Sequence, residues 1–221
     1  MDWQALILSL ELAAVTLLVL LPLGLWVGRW LARTAFTGKA LVEAAVVLPL
    51  VLPPTVLGYY LLVSLGAASP IGAWVLETFD IRLTFNFLGL LIASIIFNIP
   101  FMVQPIQRAF AALPHSLREA AWVSGLSPWR TFWKIELPLA WPGLLAGVAL
   151  TVAHTLGEFG VVLMVGGSIP GETRTLSVAI YDRVQAFDLA GADRMALLLA
   201  AASLVAVAAS FFASARLVVR R

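Results

Sequence analysis

Residues 116–138 read SLREAAWVSGLSPWRTFWKIELP and hold two arginines, one lysine, two glutamates, three serines and a threonine. They stand between two long apolar runs of a chain that is 62% hydrophobic and only 12% charged. Buried polar groups are too costly in hydrocarbon for such a stretch to cross it, so it marks a membrane surface. Its local chemistry specifies two helices and a tight turn. Ser116 and Glu119, just after Pro114, have the spacing of a capping box, which predicts a helix start there. Gly125 is expected to end that helix, because glycine takes the left-handed conformation without steric cost. Ser127 then precedes Pro128, a residue suited to the first position of a second helix. The expectation is a rigid hairpin over residues 114–138 that runs into the next apolar segment.

Working outward, the rest of the chain reads as membrane. A mean hydropathy of +0.99 over 221 residues exceeds what a soluble domain of this size could hide. Five runs reach the length of about 20 residues that a helix needs to cross a bilayer: 5–28, 41–66, 87–107, 138–166 and 194–216. The first lacks a positive flank before it, since Asp2 precedes it and Arg29 follows it, so it reads as a retained helix rather than a cleavable signal. No internal repeat or linker interrupts the pattern. The predicted fold is all-α, a polytopic bundle of five transmembrane helices forming a single domain over residues 1–221.

Charge sets the expected orientation. If residues 116–138 face the cytoplasm, that side holds Arg29, Arg33, Lys39, Arg108, Arg118, Arg130, Lys134, Arg216, Arg220 and Arg221, ten of the 14 basic residues. Arg82, Arg174, Arg183 and Arg194 fall on the other side, outnumbered by acids. Cytoplasmic loops retain positive charge, so the N-terminus is expected outside and the C-terminus inside.

Several spans carry features that a plain membrane anchor does not need. Pro49, Pro53 and Pro54 each remove a backbone donor from the second span, which predicts either a packing kink or an opened turn that lines a path. Thr55, Thr151, Thr155 and Ser168 offer hydroxyls to an anion crossing there. Glu158, in TLGEFG, is an ionisable group in an apolar run. It is expected to act as a hydrogen-bonded gate or structural element between helices, with His154 one turn before it.

The spacing within the hairpin is the most specific signal in the chain. Glu119, Ala120 and Ala121, then three residues, Gly125, nine residues, Ile135, one residue, Leu137 and Pro138 resemble the EAA signature of ABC-importer permeases without a mismatch. VEAAVVLPLVLPPTVLGYYLL (42–62) and LGEFGVVLMVGGSIPGETRTLSVAIY (156–181) are similar to segments of the bacterial molybdate permease branch, whose sulfate relatives share the GEFG core. The resemblance covers essentially the whole chain. It implies a permease subunit that moves molybdate, with tungstate left open beside it and sulfate or thiosulfate as the alternative cargo. It further implies a second copy of the chain, two cytoplasmic ABC ATPase subunits that bind ATP and Mg, and an extracytoplasmic molybdate-binding protein.

In that frame Leu117, Arg118, Glu119, Ala120, Ala121, Ser124, Gly125, Leu126 and Ser127 form the ATPase-coupling surface. Pro53, Pro54, Thr55, Thr151, Thr155 and Glu158 belong to the translocation path or gate, with Glu158 expected at the dimer interface rather than in contact with the anion. Pro170, Gly171, Glu172 and Arg174 offer a docking surface for the binding protein. The chain has no GxxxxGK[ST] phosphate loop, so ATP falls to a partner. With no cysteine and two histidines it suggests no metal site, and no catalytic constellation lies within the spans. Nucleic acid is not implied by a net charge of +2, and the expected location is the bacterial inner membrane, in contact with lipid.

Overall fold

The computed structural model describes the backbone of residues 1–219 and the side chains of residues 1–213; the expected inner-side residues Arg216, Arg220 and Arg221 lie outside the described side chains. Among the described residues every regular element is helical. Helix α1 (Trp3–Arg33) begins where the Asp2 carboxylate accepts from Ala5 N–H at 3.0 Å. After it come α2 (Lys39–Val51), α3 (Pro54–Leu65), the short α4 (Pro70–Phe79) and α5 (Phe87–Ala111). The hairpin supplies α6 (His115–Val123) and α7 (Pro128–Thr131), and a π-helical turn (Phe132–Glu136) joins α7 to α8 (Leu137–Gly157). Helices α9 (Gly160–Gly166), α10 (Leu176–Gln185) and α11 (Leu189–Val219) complete the chain.

Among the described residues four helical units are long and apolar enough to cross a membrane: Trp3–Arg33, Phe87–Ala111, Pro128–Gly157 and Leu189–Ala213. A fifth is the pair α2 and α3, which meets the same test as one unit bent by 107°. The bend falls at Leu52 and Pro53, where the proline-rich stretch was expected to open the helix. Proline 53 cannot donate, and Pro54 sits at the first position of α3, where its lack of an N–H costs nothing.

Small residues let α1, α5 and α8 approach closely, the means by which helices associate without a hydrophobic driving force. A Cβ on Gly28 would stand 2.9 Å from Ile106 Cγ2, and one on Gly147 would stand 3.1 Å from the Met102 carbonyl oxygen. Around these contacts Leu20, Met102, Ile106, Phe110, Ala140 and Leu144 form a buried core. The Thr16 hydroxyl donates to Ser94 Oγ at 2.9 Å inside the α1–α5 contact, so a polar pair that lipid would leave unsatisfied is satisfied in protein.

Two sequence expectations need correction. The fourth span does not run over 138–166. It is already helical from Pro128, stops at Gly157, and gives way at Glu158 and Phe159 to the separate helix α9. The reason is local: Glu158 takes an extended conformation, and its carboxylate serves as a cap for the next helix instead of continuing the first. The capping box at Ser116 and Glu119 does not form. Helix α6 starts two residues earlier than that box requires, at His115, with Pro114 as its cap and no side-chain capping bond. Ser116 is thereby already inside the helix, and Glu119 lies too far along it to reach back.

Candidate functional site

The hairpin is built almost wholly by backbone chemistry. At the end of α6, Gly125 takes φ +83° and donates to the Trp122 carbonyl at 2.9 Å, while Leu126 N–H reaches back to the Ala121 carbonyl at 3.0 Å. That pair of bonds is a Schellman motif, which closes the helix and turns the chain sharply. Two residues on, Ser127 caps α7 through Arg130 N–H at 3.4 Å, with Pro128 at the first position. Thr131 is buried and returns its hydroxyl to the Ser127 carbonyl at 3.0 Å.

Of the residues expected to couple to an ATPase, Ala121 alone is buried; Leu117, Glu119, Ala120, Ser124, Gly125 and Ser127 are exposed, and Arg118 and Leu126 are half-buried. Arg118 Nη2 lies 2.7 Å from His115 Nδ1, and the Ser124 hydroxyl is spent on the Ala120 carbonyl. Glu119 makes no hydrogen bond or ion pair among the described residues. Trp122 and Val123, which sequence reasoning did not single out, add to the same surface, with Val123 90% exposed. With Leu117, Trp122 and Val123 all exposed, α6 carries large apolar side chains on several sides that nothing else in the chain covers.

Sequence reasoning also missed the anchor beneath the hairpin. Glu136, the last residue of the π turn, has a side chain only 3% exposed and meets both Arg29 Nε at 2.9 Å and Arg33 Nη1 at 2.6 Å. The π turn inserts one residue into the helical count and directs this carboxylate at α1. Arg29 also lies over the Phe132 ring, its Cζ 5.0 Å from the centroid. The available signal was a lone acid in the run FWKIELPLAW, whose only other charge is Lys134, on the side the charge count had already assigned to Arg29 and Arg33.

At the other end of α8, the two breaks in the bundle meet. A Cβ on Gly160 would stand 2.7 Å from Pro54 Cβ, so the start of α9 lies against the start of α3. Glu158 is buried there, with Oε1 accepting from Val161 N–H at 3.0 Å and Oε2 3.7 Å from His154 Nε2. The Ser177 hydroxyl donates to the Glu158 carbonyl, tying α10 to the same point. His154 Nδ1 is 3.0 Å from Asn98 Oδ1, and its ring stacks on Phe101 at 4.0 Å.

The structure thus gathers Pro53, Pro54 and Glu158 around one junction and leaves Pro53, Pro54 and Thr55 exposed on the single chain. Thr151 and Thr155 are buried within the bundle, and the Thr155 hydroxyl is used by the Thr151 carbonyl at 2.8 Å. A hydroxyl bonded to its own helix is the common outcome in a membrane span.

The opposite end of the molecule carries the loop of Pro170, Gly171, Glu172 and Arg174. Pro170, Gly171 and Glu172 are exposed, and Gly171 has φ +77°. Arg174 is held by its own chain: Nε lies 3.1 Å from Ser168 Oγ and 3.5 Å from Asp182 Oδ2, and Nη1 lies 3.9 Å from Asp2 Oδ2. Ser168 in turn donates to Asp182 at 2.7 Å. These contacts set residues 2, 174 and 182 at one end of the bundle, and Arg29, Arg33 and Glu136 at the other, alongside Glu43, which accepts from Gln107 at 2.6 Å. That division matches the two charge groups read from the sequence.

The chain is a helical bundle with two breaks, at Leu52–Pro53 and at Glu158–Phe159, and a helical hairpin at one end. The chain belongs to the family described as binding-protein-dependent transport system inner membrane component, whose pattern matches residues 20–221. It is 47% identical over 195 residues to the molybdenum transport system permease protein ModB of Azotobacter vinelandii, covering 88% of this chain and 86% of that one. It is 41% identical over 184 residues to ModB of Escherichia coli strain K12, covering 83% and 80%. The sulfate transport system permease protein CysT of Escherichia coli strain K12 is more distant, at 37% over 182 residues, 82% of this chain and 65% of that one. Among solved structures, a bacterial ABC transporter involved in the import of the acidic polysaccharide alginate superposes with a TM-score of 0.76 at 19% identity, over 96% of this chain and 78% of that one. This chain is accordingly a multi-pass inner-membrane permease subunit.

Proposed function

We propose that this chain carries molybdate inward across the cytoplasmic membrane as the permease of an ATP-driven importer. Two copies would enclose the path. Two ABC ATPase subunits, which supply the ATP and Mg site this sequence lacks, would dock on the cytoplasmic side, and a binding protein would deliver the oxyanion from outside. The N-terminus is outside and the C-terminus inside, in accord with the excess of basic residues at the hairpin end. The identity of 47% with a molybdenum permease across most of both chains favours molybdate over sulfate.

The observation that carries the ATPase-coupling reading is the set of exposed apolar side chains on α6 beside the Schellman turn. A short helix with exposed Leu117, Trp122 and Val123 and an unpaired Glu119 suits a groove on a soluble partner. From α7 the helical path continues without a gap to Gly157 over 30 residues, about 45 Å at the helical rise. Motion of the hairpin on nucleotide binding would therefore reach the Glu158 junction along one rod, with Glu136 and the arginines of α1 holding its base. At that junction the helix breaks are where two halves of a span can move separately, and alternating access needs such a point. Exposed Pro170, Gly171 and Glu172 offer turn and charge for the binding protein, with Arg174 shaping the loop from beneath.

The test is uptake by vesicles that contain the complete complex with its binding protein inside the appropriate compartment. ATP-dependent accumulation of labelled molybdate, competed by tungstate more than by sulfate, is the expected result. Accumulation of sulfate with no molybdate uptake would overturn the cargo assignment, and uptake without ATP would overturn the coupling.

A further inference from the structure

Beside the Arg29–Glu136 anchor lies a groove of about 660 Å³ between α1 and the start of the α7–α8 rod. Its walls are Trp26 and Trp30, stacked at 6.4 Å, and Trp129 and Trp133, edge to face at 5.5 Å. All four indoles are exposed on this chain, and they are half of the eight tryptophans in the sequence. We infer that this groove binds an anionic phospholipid, its phosphate at Arg29 and one acyl chain along α1 toward Pro22.

Three observations select that occupant. Length is the first: the groove follows α1 from Pro22 to Thr34, about 18 Å at the helical rise, which is close to the depth of about 15 Å of one leaflet of a bilayer core. Charge is the second. The charged residues that line the groove are Arg29 and Arg33, and no acid lines it; Glu136, which pairs with both, offsets one of the two charges from outside the lining. Arg29 gives its Nε–H to Glu136, so its two amino groups are left for a phosphate, whose geometry they match. Position is the third. Arg29 is the first charge after the apolar run that starts α1, at the level where tryptophan rings are favoured between headgroup and chain. In the orientation proposed above this is the inner leaflet; the headgroup chemistry itself does not depend on that orientation or on the cargo.

The full chain, reconstituted in phosphatidylcholine vesicles, provides the test through its tryptophan fluorescence. Brominated acyl chains quench a ring they touch, so brominated phosphatidylglycerol and brominated phosphatidylcholine are compared at equal, low mole fraction. The expected result is a preference of about fivefold for the anionic lipid, the factor that roughly 1 kcal/mol per basic side chain at a membrane surface corresponds to. Arg29→Gln should remove that preference, and high salt should weaken it in the unaltered protein. Equal quenching by the two lipids in the unaltered protein overturns the inference, as does an unchanged preference in Arg29→Gln. Indoles shielded from both lipids would mean that protein fills the groove, which also overturns it. Because no transport is measured, failure here leaves the importer reading standing, and failure of molybdate uptake leaves the lipid site standing.

Discussion

Gly125 and Gly160 stand at the two turning points of this molecule for opposite reasons. Gly125 has φ +83° and open space around it, with nothing within 4 Å of a Cβ placed there. Gly160 has the reverse problem, because its Cβ would meet Pro54 at 2.7 Å. The hairpin is therefore specified by backbone conformation and leaves its side chains free for a partner. The central junction is specified by contact and leaves little unsatisfied: Glu158 caps α9, faces His154 and anchors Ser177 through its carbonyl. The turn at Gly125 is locally encoded, and the junction at Gly160 is held by tertiary contacts.

The contrast can be broken most forcefully at the anchor that separates the two regions. Glu136→Ala would leave Arg33, whose side chain is 10% exposed, without its carboxylate. Removing one partner of a buried pair costs about 3–5 kcal/mol, so this variant should lose folded protein at the membrane, read as a fall in monodisperse yield and melting temperature in detergent. Normal yield and melting would show that the anchor is dispensable.

At the junction, Gly160→Val should force α9 away from α3. Overpacking of this kind costs about 1–3 kcal/mol, and transport should fall together with thermal stability. Gly125→Val should instead strain one turn by about 1 kcal/mol or more and leave the melting of the bundle nearly unchanged while ATPase co-purification is lost. Equal melting shifts for the two valine variants would erase the distinction drawn here.

A smaller effect separates the cap from the charge at Glu158. Glu158→Ala removes the acceptor for Val161 N–H and should cost about 0.5–2 kcal/mol, as loss of a helix cap does. Glu158→Gln keeps an acceptor at the same place and should melt close to the unaltered chain. If glutamine proved as damaging as alanine to both melting and transport, the negative charge would be the essential feature.

The smallest expected effect lies at the end of the bundle opposite the hairpin. Asp188 accepts from Gly191 N–H at 2.9 Å and from Arg183, and these bonds hold its carboxyl below the usual carboxylate range. A depressed folded-state pKa stabilises the start of α11 at any pH above the ordinary aspartate value and loses that support as pH falls through the lowered one. Acidification below pH about 4 should therefore loosen this helix start in hydrogen exchange, and Asp188→Asn should flatten the dependence.

The sequence made the local half of this architecture legible. Gly125, Pro128 and the Pro53–Pro54 bend follow from what glycine and proline allow the backbone to do, and each was found where expected. The break at Glu158 was not legible, since TLGEFG continues an apolar run and only the approach of Pro54 to Gly160 and the cap on Val161 show why the helix stops. Glu136 was hidden for the same reason: its partners lie more than a hundred residues away on α1. The supposed Ser116–Glu119 box failed by two residues of register, because Pro114 rather than Ser116 caps the helix, which starts at His115. That shift leaves Glu119 without an intrachain partner among the described residues, while the spacing of Glu119, Ala120, Ala121 and Gly125 that suggested the coupling reading is unaffected.

The chain contains no cysteine, so one introduced at Val123, the most exposed apolar residue of α6, reports on that helix alone. A membrane-impermeant maleimide should leave Val123→Cys unlabelled in intact cells, label it in inverted vesicles that hold the permease by itself, and lose access again when the ATPase is bound. Labelling from outside intact cells, or an unchanged rate with the ATPase in place, would contradict the claim that residues 115–126 form the surface through which ATP hydrolysis reaches the membrane.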